Sequence, residues 1–311
     1  MKTKVTGLHH ITAIASDPKR NLDFYTKVLG LRFVKKSVNQ DDPGTYHLYY
    51  GDYAASPGTI LTFFPWMGIA RGRPGTGQAY ATGFSVPSGS LAYWRQRLTK
   101  LEVVCGNTES RFNDEILPFN DPDGLHLELI ATNELDPRPP TPAPDVPAEH
   151  AIRGFHSSTF ALREEEPTAE MLVDGMGYLL AGHAGHRSRY TVGAGGPGTY
   201  VDLLTEPALP RGINGAGTIH HIAFRIADDE NQNAILTELQ ERGTSVSPVI
   251  DRAYFKSIYY REPGGVLLEI ATDGPGFAID EPMEKLGSTL SLPPRLEPQR
   301  KQIEAVLPPL N

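Results

Sequence analysis

Two histidine doublets and one glutamate carry the clearest chemical signal in this 311-residue chain. The doublet His9–His10 lies near the start of "LHHITAIASD", and His220–His221 stands at the same place in the similar run "IHHIAFRIADD". Neighbouring side chains of a strand point to opposite faces, so one histidine of each doublet can face a site while the other faces away. Each doublet therefore supplies one candidate metal ligand and one candidate acid-base group.

The doublets belong to a fourfold repeat, and an internal repeat is stronger evidence for the fold than any single motif. The opening runs are "LHHITAIASD", "QAYATGFSVP", "IRGFHSSTFAL" and "TIHHIAFRIADD", and the closing runs are "PGTILTFFPW", "DPDGLHLELIAT", "GPGTYVDLLT" and "EPGGVLLEIATD". Runs of alternating apolar and polar residues bounded by Gly and Pro predict strands. Apolar residues spaced three or four apart, in the segment after the first run of a unit, predict a helix. Each unit is therefore predicted to be βαβββ, in an α+β chain of four such modules paired into two domains.

A proline-rich segment divides the four units into two pairs. The run "DPRPPTPAPDVP", Asp136 to Pro147, is typical of an extended linker. We therefore predict an N-terminal domain over residues 1–132 with units one and two, and a linker over 133–152. A C-terminal domain with units three and four is predicted over 153–276, followed by a tail over 277–311.

Alignment of the units compares residues at like positions. The opening position holds a histidine only in units one and four, and its four residues are His10, Ala81, Ser157 and His221. The closing position holds Thr62, Glu128, Asp202 and Glu269. Units one and four together thus offer two histidines, one carboxylate and an uncharged residue. This is the ligand set that holds non-haem Fe(II) with open positions, and Zn(II) or Mn(II) would also accept it.

The glutamate itself supports a metal. Glu269 stands within the apolar run "VLLEIA", where an ionised carboxylate is costly unless it is paired or bound to a cation. Glu128 has a similar apolar surrounding, "LHLELIA", but no histidines align with it.

Composition excludes several other classes of protein. The formal net charge is −8 with scattered Lys and Arg, which argues against a nucleic-acid partner. No apolar run approaches the roughly 20 residues of a membrane span, and the N-terminus lacks the apolar core of a signal peptide, so we expect a cytoplasmic protein without a membrane partner. Cys105 is the single cysteine, which excludes an internal disulfide and a thiolate-rich metal site.

Several motifs together resemble a known family. The runs "GLHHITAIASD", "DDPGTYHLYYGD", "PGTILTFFPW", "GAGTIHHIAF" and "YFKSIYYREPGGVLLEIATD" resemble the vicinal oxygen chelate superfamily, and the resemblance covers nearly the whole chain. More narrowly, they resemble the ring-cleaving dioxygenases that open para-hydroquinones. Catechol extradiol enzymes of this superfamily place their ligands in units three and four, where this chain has Ser157, and this departure favours the hydroquinone branch.

The resemblance implies an Fe(II) enzyme that opens a small aromatic substrate with O2. It implies that the iron ligands are His10, His221 and Glu269, and that the substrate side is lined by His9, Thr12, His220, Arg252 and Tyr259. A hydroquinone hydroxyl has a pKa near roughly 10, so its deprotonation needs a base and Lewis-acid help. His9 and Tyr259 are expected to hold or move that proton, and Arg252 to offset negative charge. His220 has the alternative role of anchoring a ligand or the strand.

Three other functions share parts of this pattern. A catechol extradiol dioxygenase would use the same metal chemistry. A glyoxalase-like lyase or isomerase would bind Zn, Ni or Mn through a fourth protein ligand, and Thr62 at that position argues against it. A sequestering protein of the antibiotic-resistance kind would need no metal ligands. A homo-oligomer is compatible with all of these functions.

Overall fold

The computed structural model describes residues 5–310, in which every unit has the predicted βαβββ order. The strands of unit one are β1 (Leu8–Ala15), β2 (Arg32–Val38), β3 (Tyr46–Gly51) and β4 (Ile60–Pro65). Those of unit two are β5 (Gln78–Pro87), β6 (Glu109–Arg111), β7 (Asp114–Asn120) and β8 (His126–Thr132). Unit three contains β9 (Gly154–Leu162), β10 (Leu179–Ala184), β11 (Arg187–Thr191) and β12 (Tyr200–Thr205). Unit four contains β13 (Thr218–Ile226), β14 (Ile250–Asp251), β15 (Lys256–Arg261) and β16 (Leu267–Thr272).

One α-helix follows the first strand of each unit. The four are α1 (Pro18–Asp23), α2 (Leu91–Lys100), α3 (Glu166–Glu170) and α4 (Asp229–Glu241), and α5 (Arg300–Val306) lies near the C-terminus. Short π-helical segments continue α1 and α3 over Phe24–Val28 and Met171–Gly175, and 3₁₀ turns cover Phe277–Ile279, Met283–Lys285 and Glu297–Gln299. The predicted α+β class with four βαβββ modules is confirmed. Within residues 5–310, no helix is both long and apolar enough to cross a membrane.

The strands form two curled sheets of eight. Their orders are β14-β15-β16-β13-β1-β4-β3-β2 and β10-β11-β12-β9-β5-β8-β7-β6. Antiparallel pairing of β1 with β13 joins units one and four, and pairing of β5 with β9 joins units two and three. The sheets thus combine units from both sides of the proline-rich segment. The predicted domain limits follow chain order instead, and whether each predicted domain folds as a unit stays a prediction. Positions 1–4 and 311 of those domains lie outside the described residues.

All four units share one register. In each unit the closing strand is parallel to the opening strand, and the closing position pairs with the residue two places after the opening position. The pairs are Thr62 with Thr12, Glu128 with Gly83, Asp202 with Thr159, and Glu269 with Ala223. The positions aligned in the sequence are therefore structurally equivalent, and the two sheets correspond residue by residue.

Helices cover the sheets through their apolar faces. In α2 the buried residues Leu91, Trp94 and Leu98 are spaced three and four apart, which places them on one face. In α4 the buried Ile235 and Leu239 have the same four-residue spacing. Every residue of β1 is buried, because this strand lies between β13 and β4 at the middle of its sheet. The strand that carries the first histidine doublet is thereby held rigidly.

The C-terminal tail packs back on unit one. Lys35 of β2 is fully buried, and its Nζ lies 2.6 Å from a carboxylate oxygen of both Asp280 and Glu281. The tail then runs along β2, where Lys36 forms an isolated bridge with Leu290. A buried ammonium without these carboxylates would be costly, so the Lys35 contacts fix the tail in place.

Replacement of Lys35 by Met should therefore destabilise the protein strongly. It leaves the buried carboxylate of Glu281 without its cation, a loss that typically costs about 3–5 kcal/mol of unfolding free energy. The matched control is Lys27→Met, because Lys27 is exposed and pairs with Asp23 at the surface. That change should cost no more than about 1 kcal/mol. Urea unfolding of both variants measures the difference, and equal costs would contradict the role given to Lys35.

Candidate metal centre

Three potential ligands meet on one face of the first sheet. His10 from β1, His221 from β13 and Glu269 from β16 place ligand atoms within 4.8 Å of one another. Their exposed fractions are 3%, 6% and 0%. Within residues 5–310 they are the one group of three or more His, Cys, Asp or Glu residues with this arrangement. The chain brings them together because β13 lies between β1 and β16 in the sheet.

A tight turn aligns the second doublet with the first. Gly217, directly before β13, has φ of +81°, and its N–H donates to the Ile14 carbonyl at the end of β1. A Cβ at this position would lie 2.2 Å from the Asp123 carbonyl oxygen, so only glycine fits. The turn fixes where β13 begins beside β1.

The Glu269 carboxylate is held between the two imidazoles. Its Oε1 accepts a hydrogen bond from Ser257 Oγ. Its Oε2 lies 3.3 Å from His10 Nε2 and 3.0 Å from His221 Nε2, yet it has no hydrogen bond of acceptable geometry to any described residue. A buried carboxylate oxygen without a partner is costly, and a cation bound by all three atoms would satisfy it. The donor set and its geometry therefore fit a divalent metal.

Protonation states also suit metal binding. Burial alone would raise the pKa of Glu269, but the adjacent His10 and His221 outweigh it and hold that pKa well below its usual value. Burial lowers the pKa of His221, although Glu269 opposes this effect. An ionised carboxylate and a neutral imidazole are the forms that bind metals.

Units two and three have arginine partners for the carboxylates at the same positions. Glu128 Oε1 lies 2.6 Å from Arg111 Nη2, and Asp202 Oδ1 lies 2.8 Å from Arg189 Nε. Arg189 is the cross-strand partner of Asp202, as Tyr259 is of Glu269. The second sheet thus gives each carboxylate a guanidinium. Among the residues that the structure describes, no Lys or Arg forms an ion pair with Glu269, so its charge calls for another cation.

The histidine doublets explain how the inner imidazoles are oriented. His9 Nδ1 lies 2.8 Å from His10 Nδ1, and His220 Nδ1 lies 2.7 Å from His221 Nδ1. When Nε2 of an inner histidine binds a cation, its Nδ1 carries the proton and can donate to the outer histidine. Burial and the adjacent inner histidine lower the pKa of His9 well below its usual value and that of His220 to about 3. Both outer histidines are therefore neutral acceptors.

A cavity of about 200 Å³ opens beside the three potential ligands. Of the five residues predicted for the substrate side, it is lined by His220, Arg252 and Tyr259. Arg252 Nε donates to the Tyr259 hydroxyl over 3.1 Å. The structure therefore brings these three together with His10 and His221 around one cavity.

His9 and Thr12 lie one layer away from this cavity. His9 is buried behind His10 and packs against Phe255, with ring centroids 5.0 Å apart. Thr12 is fully buried, and its Oγ1 lies 2.9 Å from Thr62 Oγ1. His9 contacts His10, which lines the cavity, and Thr12 is linked through Thr62 to His47, which also lines it. This placement favours positioning roles for His9 and Thr12, and their catalytic roles stay predictions.

Several cavity residues were missed in the sequence. The cavity lining includes His47 and Tyr49 of β3 together with Asn39, Gln40, Asp41, Phe64, Trp66 and Phe255. Tyr49 pairs with Thr62 across the strands just as Tyr259 pairs with Glu269. Extension of the unit alignment by one strand would have found Tyr49, and the two-residue strand period would then have added His47 on the same face.

Comparison with known proteins identifies a family and full-length relatives. The model of the Glyoxalase/Bleomycin resistance protein/Dioxygenase superfamily matches residues 7–129 and 147–270. The chain is 47% identical over 311 residues to "Putative ring-cleaving dioxygenase MhqO" of Bacillus subtilis (strain 168), covering 100% of this chain and 98% of that relative. It is 37% identical over 300 residues to "Chlorohydroquinone/hydroquinone 1,2-dioxygenase" of Sphingobium indicum, covering 94% and 93%.

Two solved structures resemble all or most of the chain. A crystal structure of a dioxygenase, described as putative, from Bacillus subtilis subsp. subtilis str. 168 matches with a TM-score of 0.95 and 45% identity, over 100% of this chain and 99% of that one. Glyoxalase I from Zea mays matches with a TM-score of 0.64 and 14% identity, over 86% and 92%. The second likeness supports the fold alone.

Replacement of Glu269 by Gln should abolish tight binding of a divalent metal. The amide keeps the shape but removes the charge, so we expect affinity to fall by more than the roughly 10–100-fold typical for loss of an outer partner of a metal ligand. The matched control is Glu128→Gln, the same change at the equivalent position of the second sheet. Anaerobic equilibrium dialysis with Fe(II), followed by metal analysis, measures both. Equal affinities of the two variants would contradict the assignment.

Proposed function

Because the chain belongs to the Glyoxalase/Bleomycin resistance protein/Dioxygenase superfamily, we propose that it is an Fe(II)-dependent dioxygenase that opens hydroquinone-type rings with O2. The observation that carries the proposal is the buried His10–His221–Glu269 group beside a cavity of ring size. The full-length relatives support the reaction class, since their names specify ring cleavage and a hydroquinone substrate.

The donor set favours iron over zinc. Two histidines and one carboxylate with open positions are typical of non-haem Fe(II) oxygenases. Thr62, at the remaining equivalent position, is uncharged and already bonds Thr12 and His47. It is therefore a poor fourth ligand, which also disfavours a glyoxalase-like lyase or isomerase. When bound, Fe(II) would supply Lewis acidity and a path for electrons between ring and O2.

Tyr259 and Arg252 are placed to handle the charge on the substrate. Burial raises the pKa of Tyr259, so its phenol stays protonated and can donate a hydrogen bond to a substrate oxygen. Arg252 lines the same cavity and donates to the Tyr259 hydroxyl. Its guanidinium would offset negative charge that develops on the ring oxygens during cleavage. These two residues would orient the hydroquinone and stabilise its anionic form.

The rest of the cavity suits a flat aromatic molecule. Phe64 and Phe255 present rings to it, and His220 stands edge-on to Phe64 with centroids 5.7 Å apart. Aromatic walls pack against the faces of a ring, while the polar groups contact its hydroxyls. A volume of about 200 Å³ admits one ring with small substituents.

Substrate preference tests the proposed reaction. The Fe(II)-loaded protein should take up O2 with hydroquinones at a kcat/KM about tenfold or more above that with catechol, a difference of at least ~1.4 kcal/mol in activation free energy. The measurement is oxygen consumption across a small panel of both ring types. Faster turnover of catechol than of every hydroquinone would refute the assignment to hydroquinones. Full turnover by a zinc-loaded, iron-free sample would refute the iron.

Two tyrosine variants distinguish an effect on turnover from an effect on metal binding. Tyr259→Phe should keep bound iron but lower turnover by roughly 10²–10⁴-fold, as expected for loss of a positioned acid or base. Tyr260→Phe is the matched control, because Tyr260 is buried on the opposite face of β15, with its hydroxyl 3.2 Å from Met176 Sδ. Iron content and oxygen uptake are measured for both. Unchanged turnover in Tyr259→Phe would remove this residue from the reaction.

A further inference from the structure

We infer that Tyr49 and His47 form a second polar contact of the cavity, which binds the ring hydroxyl that lies para to the one at the metal centre. The inference rests on the proposed function and adds to it a residue pair that selects para-dihydroxy rings. Neither residue belongs to the candidate metal ligands or to the Tyr259–Arg252 pair.

Sheet order places the two polar contacts on different flanks of the centre. Tyr259 lies in β15 and Tyr49 in β3, and each strand is two places away from the central β13–β1 pair, in opposite directions. Both side chains line the same cavity. They also occupy equivalent positions of units four and one, since Tyr259 pairs with Glu269 and Tyr49 pairs with Thr62. The internal repeat therefore supplies one tyrosine for each flank.

A chain of side-chain hydrogen bonds holds the Tyr49 hydroxyl in place. His47 Nδ1 lies 2.7 Å from the Tyr49 hydroxyl, and His47 Nε2 lies 2.8 Å from Thr62 Oγ1. The chain continues from Thr62 to Thr12 over 2.9 Å. Phe277 of the tail packs edge-on against the Tyr49 ring at 5.3 Å. The phenol is thus oriented by groups from β1, β3, β4 and the C-terminal tail.

Of the side chains in this series of hydrogen bonds, only Tyr49 has an oxygen that can form a further hydrogen bond to a molecule in the cavity. Both nitrogens of His47 are engaged, whereas a phenolic hydroxyl can donate one hydrogen bond and still accept another. Burial lowers the pKa of His47 and raises that of Tyr49, so both groups are neutral. Within the described residues the one hydrogen-bond partner of the Tyr49 hydroxyl is His47. The oxygen is therefore suited to bind a neutral hydroxyl of the substrate.

Para substitution explains why this contact would select hydroquinones. A hydroquinone with one hydroxyl at the metal centre directs the other to the opposite end of the ring. A catechol has both hydroxyls at the same end, so it would present a C–H edge to Tyr49. With catechol bound, the buried Tyr49 hydroxyl would keep its bond to His47 but leave its second hydrogen bond unmade, and we expect a discrimination of about 10–100-fold.

The test compares hydroquinone with phenol, which lacks the second hydroxyl. Binding to the Fe(II)-loaded protein is measured without O2 through quenching of intrinsic fluorescence, because Trp66 lines the cavity. The wild-type protein should bind hydroquinone about 10–100-fold more tightly than phenol. In Tyr49→Phe this ratio should fall to about threefold or less through weaker hydroquinone binding, with phenol unaffected. His47→Gln should lower the ratio in the same direction, since the phenol loses its anchor.

The control variant is Tyr50→Phe. Tyr50 is the next residue of β3 and points to the other face, where its hydroxyl donates to Asn21 Oδ1 over 2.8 Å. In Tyr50→Phe the preference for hydroquinone over phenol should equal that of the wild-type protein. If both Tyr49→Phe and His47→Gln kept the wild-type ratio, the inference would be overturned and the proposed function would stand. Equal binding of hydroquinone and phenol by the wild-type protein would have the same consequence. A loaded wild-type protein that binds neither ligand would overturn the proposed function as well.

Discussion

The candidate site depends on one buried carboxylate, Glu269, which forms no ion pair with a Lys or Arg of residues 5–310. Glu269 is fully buried, its Oε1 accepts from Ser257, and its Oε2 faces two imidazole nitrogens without forming a hydrogen bond. Removal of a carboxylate from water is costly, so this arrangement is stable only with a compensating charge. The antiparallel pairing of β1 with β13 creates the arrangement, since it carries the first and last units of the chain to the same face.

The second sheet is an internal reference for the first. It has the same unit order and the same register, but Arg111 and Arg189 neutralise its two closing carboxylates. An arginine is always charged, so these pairs are complete without any ligand. The first sheet has imidazoles and a tyrosine around its closing carboxylate instead, and the proposed divalent cation would supply the missing charge. One fold thus holds arginine-paired carboxylates in one sheet and a carboxylate beside two imidazoles in the other.

Much of this was accessible from the sequence, because repeats and strand periodicity report which residues share a position and a face. They predicted the four βαβββ modules and singled out the three side chains that the structure brings together. Periodicity does not report which strand edges pair, so the sequence-based domains followed chain order while the sheets joined units one and four. Lys35 is one of two adjacent lysines in "FVKKSV". Its burial depends on Asp280 and Glu281, about 245 positions away, which no local pattern reveals.

We propose that units one and four together hold one catalytic metal. The most direct measurement is anomalous diffraction at the iron edge from crystals loaded with Fe(II) and hydroquinone without O2. We expect a single strong peak within bonding distance of His10 Nε2, His221 Nε2 and a Glu269 carboxylate oxygen, with ring density in the adjoining cavity. Iron bound at any other place, or a well-ordered site without an anomalous peak, would contradict it.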